Sequence, residues 1–464
     1  MLSRPRAPAV VVAALTAALA TCVALATEGW AQASPTDLAR PAPRADLARP
    51  APRADLGRPA PRADLARPAP PDVPDDLTVG VMTFGPGDHP FFRFGHDAIW
   101  IHDRATGIDR VYNFGTFTFD SPRLILDFLH GRMTYWLSVS SLRATREIYE
   151  RENRSIVVQE LALDPDAKRA LRVRLDDNAR PENRAYKYDY FRDNCATRVR
   201  DAIDAAVGGR VRAGARGPGR LTLRGQALRM TAGYLPLYVA LDLVLGPDVD
   251  LPIDRWTETF IPEELERALA EVTVPGPTGA QPLVVRATEV FHPRRAPPLA
   301  APPTRGGGFF LCGLAVGLVF LLLAVGSWAS RPTFLRAGLR AVFGLLVVGF
   351  GLAAGFIGCF LVYIWIGTDH LVAHRNQNIL LCAPFALALA VLGFGVVLGR
   401  PGATRKASLV ASAALVTTVL AGLVKIGLLH HQENGALIAF FLPVWLGMTA
   451  GLARLWPRGG FRAS

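Results

Sequence analysis

Tyr186-Lys-Tyr-Asp-Tyr-Phe-Arg-Asp-Asn-Cys195-Ala-Thr-Arg-Val-Arg-Asp-Ala-Ile-Asp204 is the stretch from which the rest of the chain is best read. An aromatic run meets Asp193-Asn194, then a cysteine, then a helical pattern. Val199, Ala202, Ile203 and Ala206 recur at i, i+3, i+4 and i+7, the spacing of a helix with one buried face. Asp193 or Asn194 suits the N-cap. Cys195 then falls in the first turn, where unpaired N–H groups and the positive end of the dipole favour a thiolate. A nucleophilic cysteine would be placed there. The competing reading is a buried structural cysteine, one of the most buried residue types.

Composition puts this stretch in a membrane protein. Half of the 464 residues are hydrophobic, and the last third holds several long apolar runs. The net charge of +12 comes partly from arginines in a Pro-rich segment and partly from short loops between apolar runs. No RNA-type motif or basic-aromatic platform accompanies it, so nucleic acid is a poor explanation of the charge. Of five cysteines, Cys22 lies in the N-terminal segment and Cys312, Cys359 and Cys382 lie in apolar runs. Cys195 is alone in the soluble region, has no disulfide partner there, and is therefore flagged as a reactive thiol.

Residues 1–33 carry Arg4 and Arg6, an apolar core from Ala9 to Ala26, and Ala31-Gln-Ala33. That is a secretory signal pattern, with an uncleaved signal anchor as the alternative. Leu19-Ala-Thr-Cys22 has a faint likeness to a lipoprotein site. Residues 34–71 form a Pro/Arg-rich linker in which a nine-residue unit, Asp-Leu-Ala-Arg-Pro-Ala-Pro-Arg-Ala, begins at Asp37, Asp46, Asp55 and Asp64 with small departures. It is too proline-rich for helix or sheet and too polar for a core, so it reads as a semi-extended tether.

Residues 72–295 form the soluble domain. Strands are expected at Thr78–Phe84, Asp97–His102, Arg110–Phe119 (interrupted by Gly115), Thr134–Ser140 and Ser155–Leu163. Helices are expected from Pro122 to Gly131, between the last two strands, and after Asp164-Pro165. Val207 to Arg220 is Gly- and Arg-rich and reads as a mobile loop. Thr231–Gly246 is an apolar helix, short for a span, and Pro262 opens another helix. Without regular βα alternation the class is α+β.

A Pro/Gly-rich linker, 296–308, leads to a bundle of five transmembrane helices within 309–455 and a tail, 456–464. The apolar runs lie at 309–328, 341–366, 379–398, 407–429 and 436–453, each long enough for a hydrocarbon core of ~30 Å. Arg331, Arg336 and Arg340 occupy the first connection, Arg400, Arg405 and Lys406 the third, and Arg454, Arg458 and Arg462 follow the last run. The second has only Arg375. By the positive-inside rule the first, third and terminal segments are cytoplasmic and the soluble domain lies on the outer face. In a bacterium that is the periplasmic side of the inner membrane.

A cysteine nucleophile needs a base. Of the soluble domain's histidines, His89, His96, His102, His130 and His292, His96 has the best context. It opens an alternating strand directly after Gly95, which lets a partner approach closely. His102, at the other end of that strand, is second. His89 reads as solvated, His130 and His292 as surface or packing residues.

Together, Gly95-His96 and Asn194-Cys195 have an order, histidine on an early strand and cysteine at a distant helix start, that resembles the circularly permuted papain-like group. That group includes lecithin:retinol acyltransferase and related phospholipid acyltransferases, and the fold it implies is NlpC/lecithin:retinol acyltransferase-like. A closer resemblance, to proteins with the Lnb N-terminal periplasmic domain of the lipoprotein N-acyltransferase group, extends over nearly the whole mature chain. It rests on Arg93-Phe-Gly-His96, Val111-Tyr-Asn-Phe-Gly-Thr-Phe117, Tyr188-Asp-Tyr-Phe-Arg-Asp-Asn-Cys195, Trp256 with Phe260-Ile-Pro262, and Thr368-Asp-His370 with Asn376-Gln-Asn378. The resemblance implies a permuted papain-like domain and a thiol acyltransferase without cofactor. Cys195 would attack a phospholipid acyl ester while His96 accepts its proton, and the acyl group would pass to the N-terminal amine of a lipoprotein. The imidazole needs a third group to hold it. Asn113 on the neighbouring strand is the choice, with Asp97 and His102 behind it. Backbone N–H groups at the helix start would serve the oxyanion.

Asn194 is also assigned to substrate binding, together with His370, Arg375, Asn376 and Asn378 in the second connection, which orientation places on the domain's side. These would bind a lipid headgroup, arginine being suited to phosphate. A metal reading, with His370 and His374 four apart, lacks a third ligand, and a solvated loop is the plain alternative. His430-His431-Gln-Glu433 reads as interfacial. The rivals to acyl transfer are an NlpC-type cell-wall amidase or peptidase with the same Cys-His site, and a non-enzymatic membrane interaction module.

Overall fold

The computed structural model describes residues 76–118, 124–330, 332–426 and 432–456. The expected signal segment, the nine-residue repeats, His430-His431 and the tail beyond Trp456 lie outside the described residues. The described chain forms two compact units. One comprises residues up to Thr231 together with Pro252–Ala301, and the other Ala232–Leu251 together with the residues from Pro302.

The first unit is built on an antiparallel sheet. Among the described residues its strands are β1 (Leu77–Phe84), β2 (His96–Asp103), β3 (Ile108–Thr116), β4 (Thr134–Ser140), β5 (Ile156–Leu161) and β6 (Ala185–Lys187). A hairpin, β7 (Thr273–Gly276) with β8 (Gly279–Pro282), and a last strand, β9 (Val284–Phe291), complete the set. The seven-stranded order is β6-β4-β3-β2-β1-β5-β9. Side-chain alternation divides the core in two. Val79, Val81, Ile99, Ile101, Tyr112 and Phe114 face one layer, which takes in the Pro165–Asn178 and Cys195–Ala206 helices. Met82, Phe84, Ala98, Val111, Ile156 and Val158 face the other, beneath Leu142 and Tyr149 of the Leu142–Arg151 helix.

Most of the expected elements are present, with shifted ends. Three differ. The third strand stops at Thr116, because Gly115 adopts φ +87° and pairing with β4 is irregular between Asn113 and Thr116. The stretch 207–220, expected as a mobile loop, contains a helix, Arg210–Gly214, with Val211 fully buried. Strand β9 was not foreseen. Its outward residues are exposed, so it has no apolar alternation to read.

The second unit is a helical bundle. Gly306–Ala329, Thr333–Gly367, Pro401–Ile426 and Gly435–Leu455 are each long and apolar enough to cross a membrane. The expected third span is not one helix. Leu371–Leu380 and Pro384–Val397 are bent by 57° at a break between them. Pro384 sits at the start of the second piece, where its ring and missing N–H end the preceding helical hydrogen bonding. The bent segment still runs antiparallel along Thr333–Gly367, with Cys382 against Gly358, Leu389 against Gly351 and Val397 against Gly344. Gly313 and Gly317, four apart, let the first helix touch the last. A Cβ on either would meet the backbone of Phe440 or Pro443. Such close approach lets helices pack where lipid offers no hydrophobic drive.

Candidate active site

Asn194 is the N-cap. Its side-chain oxygen accepts from the Thr197 N–H at 2.9 Å, and the Thr197 hydroxyl accepts from the Asn194 N–H at 2.8 Å. Its amide donates to the carbonyls of Tyr190 (3.0 Å) and Phe260 (2.9 Å), binding the aromatic run and the Phe260-Ile-Pro262 segment to the helix start. Cys195 is thereby fixed as the first helical residue, 7% exposed and part of the β2–β3 core layer. A Cβ on Gly115 would lie 3.5 Å from the Cys195 Cβ.

The thiol group faces the strand end that carries His96. The β2–β3 ladder runs only as far as Ile99↔Tyr112, so the first residues of β2 are paired to β1 but not to β3. Into that opening the Asp97 N–H points at the Cys195 sulfur, and the Ala196 N–H joins it. The expected thiolate is nevertheless not the resting form. Burial pushes the thiol up to about 12, the Asp97 carboxyl adds to this, and the two amides and Arg154 offset only part of it. Desolvation of the charged sulfur outweighs the helix start.

His96 is the first residue of β2, preceded by Gly95 at φ +83°. A side chain at Gly95 would also press on the Phe84 carbonyl at 2.9 Å. The imidazole stacks on Phe84 (5.9 Å between centroids) and Tyr149 (6.1 Å). By alternation it belongs with Ala98 and Trp100, on the face opposite Ile99 and the Cys195 helix. Sulfur and imidazole therefore lie on the two faces of the strand at its unpaired end. Asn113 lies on the imidazole's side and hydrogen-bonds it. Its amide donates to Val111 O (3.2 Å) and Ser140 Oγ (3.1 Å), which leaves its carbonyl to accept from the ring. Burial first, and the Arg154 guanidinium second, lower the His96 pKa to about 3 despite Asn113. The resting pair is thus neutral thiol and neutral imidazole.

The two alternatives to Asn113 are placed differently. His102 lies six residues along β2, roughly 20 Å away, with its Nδ1 3.1 Å from Asp109. Asp97 is fully buried on the sulfur's face. Burial holds its carboxyl protonated well above the usual range, against the pull of the Thr83 hydroxyl.

Several neighbours were not read from the sequence. Arg154, 2% exposed, follows the helix on the imidazole's side, donates from Nε to Gly85 O at 2.8 Å and lies over the Tyr149 ring at 4.6 Å. Its charge lowers both the His96 and the Cys195 pKa. On the sulfur's side, Tyr135, Tyr186 and Tyr188 form an aromatic wall, with Tyr135 and Tyr188 stacked at 4.0 Å. Tyr186 and Tyr188 were visible in the aromatic run, Tyr135 lay in the expected strand Thr134–Ser140, and β6 brings Tyr186 opposite Tyr135. Arg154 gave no local signal.

The residues of the second connection sit in the other unit. Asn376 donates to the carbonyls of Leu243 (2.8 Å) and Val244 (2.7 Å), and Asn378 to those of Asp242 (3.1 Å) and Leu243 (2.9 Å). They satisfy the open carbonyls at the end of the Leu235–Val244 helix. Arg375, at φ +55°, pairs with Asp248. His370 precedes a short 3-10 turn, and His374 places Nε2 3.2 Å from Thr368 O. Among the described residues no group of three His, Cys, Asp or Glu side chains is arranged to hold a metal ion.

Fold and site define a multi-pass membrane protein whose α+β domain buries one cysteine at a helix N-terminus beside a strand-end histidine. Residues 73–223, from the first strand through the Cys195 helix, match the family of the Lnb N-terminal periplasmic domain, and the chain carries a domain of that family. No curated protein and no solved structure matches the chain.

Proposed function

We propose that this protein is a thiol acyltransferase of the bacterial inner membrane, moving a fatty acyl chain from phospholipid to the N-terminal amine of a lipoprotein in the periplasm. The observation that carries the reading is Cys195 at a capped helix start, its sulfur against the Asp97 amide and thus one residue from His96. The Lnb-type domain and the apolar helices support a lipid-linked substrate. The order of histidine strand and cysteine helix supports a permuted papain-like arrangement.

With both groups neutral at rest, the proton leaves as the bond forms. Sγ attacks the ester carbonyl, His96 takes the thiol proton, and Asn113 holds the ring. Collapse breaks the ester C–O bond, and His96 returns the proton to the leaving lysophospholipid oxygen. In the second half the acceptor amine attacks the thioester carbonyl, His96 takes a proton from its nitrogen as the C–N bond forms, the C–S bond breaks, and His96 returns that proton to sulfur, restoring the thiol. Of the residues assigned to a headgroup, Arg375 is the one whose partner, Asp248, a phosphate would most readily replace, the pair being solvent-exposed. Asn194 acts through the cap rather than on the lipid.

The test is replacement of Cys195 or His96 by alanine in a host depleted of its own lipoprotein N-acyltransferase. The wild-type chain should restore N-acylation, and each variant should abolish it. Unchanged N-acylation in either variant would overturn the assignment. Release of peptidoglycan fragments in place of acyl transfer would establish the NlpC-type hydrolase instead.

A further inference from the structure

Beside Cys195 stands a hydroxyl that the acyl-transfer scheme above does not use. Tyr186 is 6% exposed, and its Oη is buried without a hydrogen-bond partner. An orphaned buried hydroxyl is costly, and a fold that keeps one at a reactive centre invites a reason. The space next to it has a defined outline. The Cβ that Gly115 lacks would lie 3.5 Å from the Cys195 Cβ, 3.7 Å from the Tyr188 ring and 3.8 Å from the Tyr186 Oη. Thus a methyl-sized gap is bounded by the thiol-bearing carbon on one side and a free O–H donor on the other. The gap exists because Gly115 takes φ +87°, which side-chain-bearing residues rarely adopt. The Arg198 guanidinium covers the Tyr186 ring at 3.9 Å and is itself anchored on Asp193. A cation on the ring draws electron density from the phenol and makes it a stronger donor.

The geometry points to Tyr186 as a further catalytic residue, its phenol O–H donating to the acyl carbonyl oxygen seated over Gly115 as that oxygen gains charge. This rests on the acyl-transfer reading and adds to it a side-chain donor for the oxyanion, apart from the Asp97 and Ala196 amides, which face the sulfur. When the Sγ–C bond forms, the C=O π pair moves onto oxygen. Tyr186 stabilises that oxygen by a hydrogen bond and gives up no proton. Collapse restores C=O and expels the leaving group. Burial raises the Tyr186 pKa, so the group remains a donor throughout.

Tyr186→Phe removes the hydroxyl alone. In the full-length protein in detergent micelles, p-nitrophenyl dodecanoate serves as acyl donor. The readouts are the p-nitrophenol burst and the mass of the Cys195 peptide, with Cys195→Ala as blank. Iodoacetamide alkylation of Cys195 runs in parallel, because that displacement develops no oxyanion. Loss of one oxyanion donor lowers the acylation rate by about 100- to 1000-fold, and alkylation of Tyr186→Phe should stay within about twofold of wild type. Acylation within about threefold of wild type overturns the Tyr186 role and leaves Cys195 as nucleophile intact. A parallel fall of acylation and alkylation also overturns it, since Tyr186 then only positions the thiol. If the wild-type chain forms no acyl-Cys195, the nucleophile assignment itself fails and the role of Tyr186 with it.

Discussion

Asn194 joins three pieces of chain at one buried side chain, so its removal should loosen the surroundings of Cys195 by a calculable amount. Replacing it with alanine deletes the cap to Thr197 and the bonds to Tyr190 and Phe260. The cap is worth about 1 kcal/mol and each amide bond about 1 kcal/mol, together about 3 kcal/mol. At 1.4 kcal/mol per decade, local opening around Cys195 should become about 100-fold more frequent. Asn194→Ser keeps an acceptor for Thr197 and loses only the two amide bonds, so it should fall between, at about 30-fold. Asn194→Asp keeps the acceptor but sets a carboxylate against two carbonyls, and should be no better than serine. The assay is iodoacetamide labelling of the native full-length protein, read by mass spectrometry of the Cys195 peptide so that the other cysteines do not interfere. If Asn194→Ala labels within about threefold of wild type, or serine matches alanine, the cap does not hold the site as described.

Asp97 gives a pH signature. Its folded pKa is raised, so the stability it permits is full below the ordinary value of 3.8 and is lost as pH rises towards the folded pKa. The loss runs at up to about 1.4 kcal/mol per pH unit. Asp97→Asn should abolish that slope and raise the thermal midpoint at pH 7, measured across pH 5–7. Arg154→Gln removes the charge that lowers the Cys195 pKa. Alkylation of Cys195 at pH 9 should slow several-fold, whereas simple loosening would speed it. Replacing Asn376 by alanine strips donors from the end of the Leu235–Val244 helix and should cost about 1–3 kcal/mol in local stability. Faster hydrogen exchange at residues 243–249 would show it, and unchanged exchange would contradict the capping role.

The parts of the fold governed by local pattern were legible. Alternation marked β1, β2 and β4, Asp164-Pro165 marked a helix start, and the N-cap pair before Cys195 was narrowed by the structure to Asn194. What was hidden depends on tertiary company. An edge strand such as β9 has few apolar neighbours to declare it. The break at Pro384 lies inside a run whose hydropathy is continuous. Cys195 sits at a helix start as read, yet how deeply it is buried, and hence the sign of its pKa shift, depends on strands more than 70 residues earlier. The faces that His96 and Cys195 occupy are set by where the β2–β3 ladder ends, which no spacing in the sequence encodes.

The Ala232–Leu251 segment has a practical consequence. It lies within the sequence of the sheet-bearing unit but belongs to the bundle, where Leu243 packs on the core and Asn376 and Asn378 close the helix end. Truncation after residue 301 would therefore not release a clean water-soluble fragment. It would carry away a ten-residue, mostly apolar helix stripped of its seat, a sticky arm prone to aggregation. A crystallisable fragment calls for excision of residues 232–251 and a short bridge between Thr231 and Pro252. By the same logic a domain graft onto a foreign bundle would fail unless that bundle brought its own pair of asparagines.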